Sequence, residues 1–69
     1  MPIFHFDIAD DVRLEDPVGL NCANESDARK TADLIARQIA IDLADGNPDR
    51  SVVVIDEDGS EIYTTPVKA

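Results

Sequence analysis

Carboxylates are the side chains through which this chain has most chance of doing chemistry. Asp7, Asp10, Asp11, Glu15 and Asp16 fall close together near the start. Clustered carboxylates bind divalent cations or raise one another's pKa. They also serve as solvated charge that stops the edge of a small sheet from pairing with another chain. The cluster has no metal-ligand spacing, so the second reading carries more weight. A second acidic run, Asp56-Glu57-Asp58-Gly59, has the form of part of a calcium loop. Such a loop needs ligands at positions 1, 3, 5 and 12 with glycine at 6. Setting Gly59 at position 6 puts Val54 first and Thr65 twelfth, and neither suits. A hairpin turn is the better reading, with Gly59 supplying a positive φ.

His5 is the only histidine and Cys22 the only cysteine. A catalytic histidine needs a nucleophile or an orienting partner, and no serine or second cysteine is placed by sequence to serve. His5 therefore reads as a surface or interface side chain. Cys22 precedes a helix start, where the helix dipole lowers a thiol pKa. Free cysteine more often behaves as a small packing residue. No phosphate-binding glycine loop occurs. The expectation is no catalytic, cofactor-binding or metal-binding residue, and no cofactor.

Net charge narrows the partners. Fifteen acidic residues against six basic give −9, so nucleic acid and anionic membrane surfaces are unexpected, because both are met by basic patches. A basic protein partner fits, and so does charge kept simply for solubility. The single cysteine suits a reducing compartment. The start, Met1-Pro2-Ile3-Phe4-His5-Phe6-Asp7, lacks the basic and apolar regions of a signal peptide. No apolar run approaches the ~20 residues of a membrane span. A cytoplasmic location is expected.

The elements that would position these residues follow from periodicity. Ile3 to Ile8 alternates as a half-buried strand, with Phe4, Phe6 and Ile8 on the core side. Ala9-Asp10-Asp11 reads as a turn, Val12-Arg13-Leu14 as a short return strand, and Glu15 to Gly19 as a loop. Val18 and Leu20 are expected to tuck under the start of a helix. That helix should run from about Glu25 to Asp45. Asn24 is its N-cap, Glu25 and Asp27 place negative charge in its first turn, and Gly46 and Pro48 end it. At 100° per residue, Ala28, Ala32, Ile35, Ile39 and Leu43 form the core stripe, with Ala36 at its edge. Glu25 with Arg29, and Asp33 with Arg37, are favourable i,i+4 pairs. Ser51 to Asp56, with four apolar residues in a row, reads as a strand covered on both faces. Glu61 to Thr65 returns along it.

The order of features resembles a family of very short proteins of unknown function from rhizobia and related alphaproteobacteria. The resemblance rests on Met1-Pro2-x-Phe4-x-Phe6-Asp7, the acidic turn Asp10-Asp11, and Glu15-Asp16-x-x-Gly19. Ala28-Arg29 early in a capped helix, and a terminal hairpin around Asp56-Glu57-Asp58-Gly59, complete it. It spans nearly the whole chain. Asp10-Asp11 stands where the family pattern has Asp-Gly, and His5 where an aromatic is common. The resemblance implies a cytoplasmic bacterial protein with no established activity, and it adds no mechanism.

The expected fold is one α+β domain over residues 1–69. It has a small antiparallel sheet of three to four strands in the order β(β)αββ, with the amphipathic helix, about 25–45, on one face. Pairing the first strand with the Glu61 to Thr65 strand would make that sheet wholly antiparallel. Domains this small bury little surface, and association is a common remedy. The sheet face away from the helix would present His5, Val54 and Tyr63, with some of Val52 and Ile3, and Leu34 and Ile41 lie off the helix core stripe. Contiguous apolar surface marks a protein contact. A homodimer is therefore expected, with Leu34, Ile41, His5, Val54 and Tyr63 as candidate interface residues. The functional expectation is a non-enzymatic interaction or regulatory protein acting as a homo-oligomer. The alternatives are a metal- or small-ligand-binding module built on the acidic loop, or an antitoxin-like protein that neutralises a basic partner.

Overall fold

Strand β1 (Ile3–Ala9) runs through the middle of the sheet and carries both phenylalanines into the core. The computed structural model describes residues 2–10, 12–42 and 47–67. After β1 the chain returns along the same edge in two pieces, β2 (Arg13–Leu14) and β3 (Leu20–Asn21). Helix α1 (Glu25–Asp42) follows, then β4 (Asn47–Ile55) and β5 (Glu61–Val67). The strand order is β2-β1-β4-β5, with β3 beside β1 next to β2, and every pairing is antiparallel. The α+β class and the helix-plus-antiparallel-sheet layout thus agree with the expectation.

The neighbour of β1 differs from the one expected. It is β4, not β5, and it runs antiparallel to β1. The reason is parity. Strands β2 and β3 bring the chain back to the start of β1, where the Cys22 N–H donates to the Pro2 carbonyl. The helix then runs alongside β1 in the same direction, so β4 must come back against it. Counting the helix as the only reversal leaves out this earlier one.

The helix start follows its sequence signals. Asn24 Oδ1 accepts the Asp27 N–H at 2.9 Å, and Asp27 Oδ2 reaches back to the Ala23 N–H at 3.1 Å. One orphan donor of the first turn and the N–H just before the cap are thereby met. Glu25 pairs with Arg29 as expected. The expected helix end at Asp45, the Gly46 cap and the core position Leu43 lie outside the described residues.

The buried row of the helix is Ala28, Ala32, Ala36 and Ala40, an i,i+4 ridge. Ile35 and Ile39 lie on its flank, half-buried, so the centre of the stripe is shifted toward the alanines, and Ala40 joins it. Methyl side chains let the helix backbone come close to β4 and β5, over which it lies. Val52 and Val54 meet the alanines from below, with Phe4, Phe6, Cys22 and Val67 in the same cluster. Val18 and Leu20 are exposed and do not tuck under the helix. Leu20 is held in β3 opposite Phe4, and Gly19 just before it takes φ +77°, so the strap passes beside the helix start instead.

Candidate interaction site

The strap between β1 and the helix is fastened by carboxylates. Opposite His5, Phe6 and Asp7 neither β2 nor β3 continues, so on the edge away from β4 the β1 backbone lacks ladder partners there. Asp16 fills the gap. Its Oδ2 accepts the Phe6 N–H at 3.2 Å, and its Oδ1 accepts the N–H groups of Val18 and Gly19 at 3.1 Å each. Its carbonyl oxygen accepts a hydrogen bond from His5 Nδ1 at 2.7 Å, and its own N–H donates to Asp7 Oδ1 at 3.0 Å. Burial alone would raise the Asp16 pKa. The Gly19, Phe6 and Val18 N–H donors, with the charge of His5, outweigh it and hold the carboxyl below its ordinary value. Gly19 is confined as well as left-handed: a Cβ there would meet Ile3 Cγ2 at 2.6 Å.

Asp7 is buried on the sheet face away from the helix. Arg13 donates to its Oδ2 through Nε at 3.2 Å and Nη2 at 3.0 Å, and to Glu61 Oε1 through Nη1 at 2.9 Å. The arginine therefore reaches from β2 to β5 across that face. Val53, opposite Asp7 in register, is buried on that face although no helix covers it. Arg50 fastens the first turn, with Nε 3.0 Å from Asp10 Oδ2. The Val12 N–H, then Arg50, lower the Asp10 pKa.

These contacts account for the acidic residues as structural acceptors. Asp7, Asp10 and Asp16 are turned to N–H and guanidinium donors, and Asp11 lies outside the described residues. In the second acidic run, Asp56 Oδ1 accepts the N–H groups of Asp58 and Ser60 at 2.9 Å each, and Gly59 has φ +84°. This is a carboxylate-closed hairpin turn. Among the described residues, no group of three or more His, Cys, Asp or Glu side chains is placed to hold a metal ion.

Cys22 is buried at the foot of the helix. Burial, then the charge of Asp27, pushes its thiol pKa up, and a bond from the Thr31 hydroxyl opposes this only in part. A buried, protonated thiol is a poor nucleophile. Labelling by iodoacetamide at neutral pH is expected to run at least about a hundredfold slower in the folded protein than in urea, since reaction must wait for opening. Comparable rates in the two conditions would show that the thiol is accessible.

Of the expected interface residues, two are on the surface as foreseen. Leu34 and Ile41, seven residues apart, are 64% and 59% exposed on the side of the helix opposite the alanine row. His5 is half-buried on the sheet face away from the helix and tied to the strap. The other two assignments are corrected. Val54 is 0% exposed and faces the helix, because it lies in register with Phe6. Tyr63 lies in register with Val54 and so shares the helix side. Its hydroxyl donates to Asp33 Oδ1 at 2.9 Å, and the Arg29 guanidinium carbon is 5.8 Å from its ring centroid. The Asp33 bond leads the causes that raise the Tyr63 pKa. An unbroken run of four apolar residues satisfies either alternation, so its facing is not readable from the run itself.

Two exposed residues were not foreseen as interface candidates. Leu14, in register with Ile8, and Leu20, in register with Phe4, share the helix side of the sheet. They are 63% and 50% exposed, because the helix lies over β4 and β5, the core closes over Phe4 and Phe6 of β1, and the short β2–β3 edge is left uncovered. Their signal in the sequence was an apolar residue at each end of an otherwise acidic and polar loop.

No helix among the described residues is long and apolar enough to cross a membrane. No curated protein and no solved structure matches the chain. The match to a family model runs over residues 3–68, and on that ground the chain belongs to the family described as a domain of unknown function, DUF6894.

Proposed function

We propose that this chain is a small non-enzymatic interaction protein that works as a homo-oligomer. One observation carries the reading: the helix buries alanines and exposes two of its larger apolar side chains. Ala28, Ala32, Ala36 and Ala40 face the sheet, while Leu34 and Ile41 face outward. Exposing a leucine and an isoleucine on the outer side of a packed helix gives a single chain no burial energy, and contiguous apolar surface is the mark of protein contacts. A bacterial setting among the alphaproteobacteria rests on the sequence resemblance alone.

Sedimentation equilibrium over a wide concentration range tests this. A mass that rises to a multiple of the 7.5 kDa chain is the expected result. A mass of one chain at every concentration would remove the homo-oligomer reading.

A further inference from the structure

We infer that two copies of this chain associate by laying the outer face of each helix on the uncovered β2–β3 edge of the other copy's sheet. The inference rests on the homo-oligomer reading and names the surfaces involved. It starts from a mismatch of widths. Strands lie about 4.8 Å apart and a helix with side chains is about 10 Å wide, so a sheet four strands across accommodates two helices. This chain supplies one, over β4 and β5. With Phe4 and Phe6 buried on β1, what stays open is the β2–β3 edge, a shelf with Leu14 exposed beside half-buried Ile8 at one end and Leu20 at the other, on the helix side of the sheet.

The second helix is available in a second copy. Leu34 and Ile41 lie opposite the alanine row, so a helix packed on its own sheet points them directly away from it. Two copies facing each other would place both helices side by side in one central layer between two sheets. Each helix would then cover its own β4 and β5 with alanines, and the other copy's shelf with Leu34 and Ile41. The contact is reciprocal, as two-fold association requires. The half-buried flank formed by Ile35 and Ile39 would face the neighbouring helix.

Charge favours the same arrangement. Lys30 and Arg37 border Leu34 and Ile41 on the exposed helix. Among the described residues the strap carries Asp10, Glu15 and Asp16 against Arg13, with Asp10 paired to Arg50 and Glu15 exposed. The cationic rim of the helix therefore meets the acidic rim of the shelf. A helix-to-helix or shelf-to-shelf contact would instead set like charges together, which disfavours association.

Analytical ultracentrifugation of surface variants of the full chain tests this. Leu34→Asp disables the helix face and Leu14→Asp disables the shelf, and both positions are exposed, so the fold should survive, as circular dichroism will show. Each variant alone should weaken self-association by at least about tenfold, since a charge replaces an apolar anchor. An equimolar mixture of the two should associate more tightly than either alone, because one intact helix then meets one intact shelf. Arg37→Glu and Glu15→Lys make a second pair that leaves the apolar residues in place, with the same pattern expected. A wild-type oligomer unaffected by Leu14→Asp would overturn the helix-on-shelf contact and leave the homo-oligomer reading standing. A mixture no tighter than its components would overturn it too. A wild-type monomer would overturn both.

Discussion

An Asp16→Ala variant is expected to lose about 3 kcal/mol of folding stability, measured by urea denaturation, because three charge-assisted hydrogen bonds disappear together and the N–H groups left behind are only partly reached by water. The carboxylate accepts the N–H groups of Phe6, Val18 and Gly19. Small domains hold roughly 0.05–0.15 kcal/mol per residue, so this loss is a large share of the total. Asp16→Asn keeps the shape and one acceptor oxygen, and its cost should be smaller. The two variants also separate charge from geometry. The folded Asp16 carboxyl sits below its ordinary value of 3.8, so its contribution is fully present above that pH. It is lost as the pH falls through the lower, folded value. Stability of the wild type should therefore decline below about pH 4, with Asp10, lowered by the Val12 N–H and Arg50, contributing in the same direction. In Asp16→Asn that acid-dependent decline should be shallower. An unchanged slope would mean that Asp16 does not carry the proton linkage.

Ala32→Leu is expected to cost about 1–3 kcal/mol, or more if the helix has no room to shift. Ala32 is fully buried in the middle of the alanine row, where the helix is closest to β4 and β5. Three added carbons must either push the helix away from Val52 and Val54 or force strained rotamers, and close-packed interiors tolerate neither cheaply. The reverse exchange at an exposed position, Leu34→Ala, should change the stability of the single chain by only about 0.5 kcal/mol or less, since that side chain is exposed. The contrast is the informative measurement. Comparable melting temperatures for Ala32→Leu and the wild type would show that the helix is not seated on the sheet through its alanines.

Local chemistry was legible where it depends on neighbours in the chain. Asn24 and Asp27 announce the helix start, and the cap bonds form between them and the adjoining backbone. Phe4 and Phe6 alternate with polar residues, and both are buried. Asp56 and Gly59 close the last hairpin as their types suggest. The candidate interface was legible in part. Leu34 and Ile41 stand out by their angle on the helix, whereas Val54 and Tyr63 were placed on the wrong side of the sheet.

The rest depended on distant pairing. A carboxylate at position 16 reads as loop solvation until β1 is seen to lack a partner beside it. An arginine at position 13 reads as surface charge until Asp7 and Glu61 are found within its reach on two other strands. The identity of the strand beside β1 was set by an early return of only four strand residues, too short to weigh in periodicity. Neighbouring residues suffice to specify one helix with its cap, its alanine and isoleucine side, its two outward apolar residues and the three longer strands, because each of these is a relation among residues a few positions apart. Which strands pair, which face Val54 takes and how far across the sheet the helix reaches are settled by balancing burial and hydrogen bonding over the whole chain, and the open β2–β3 edge beside the core is their consequence.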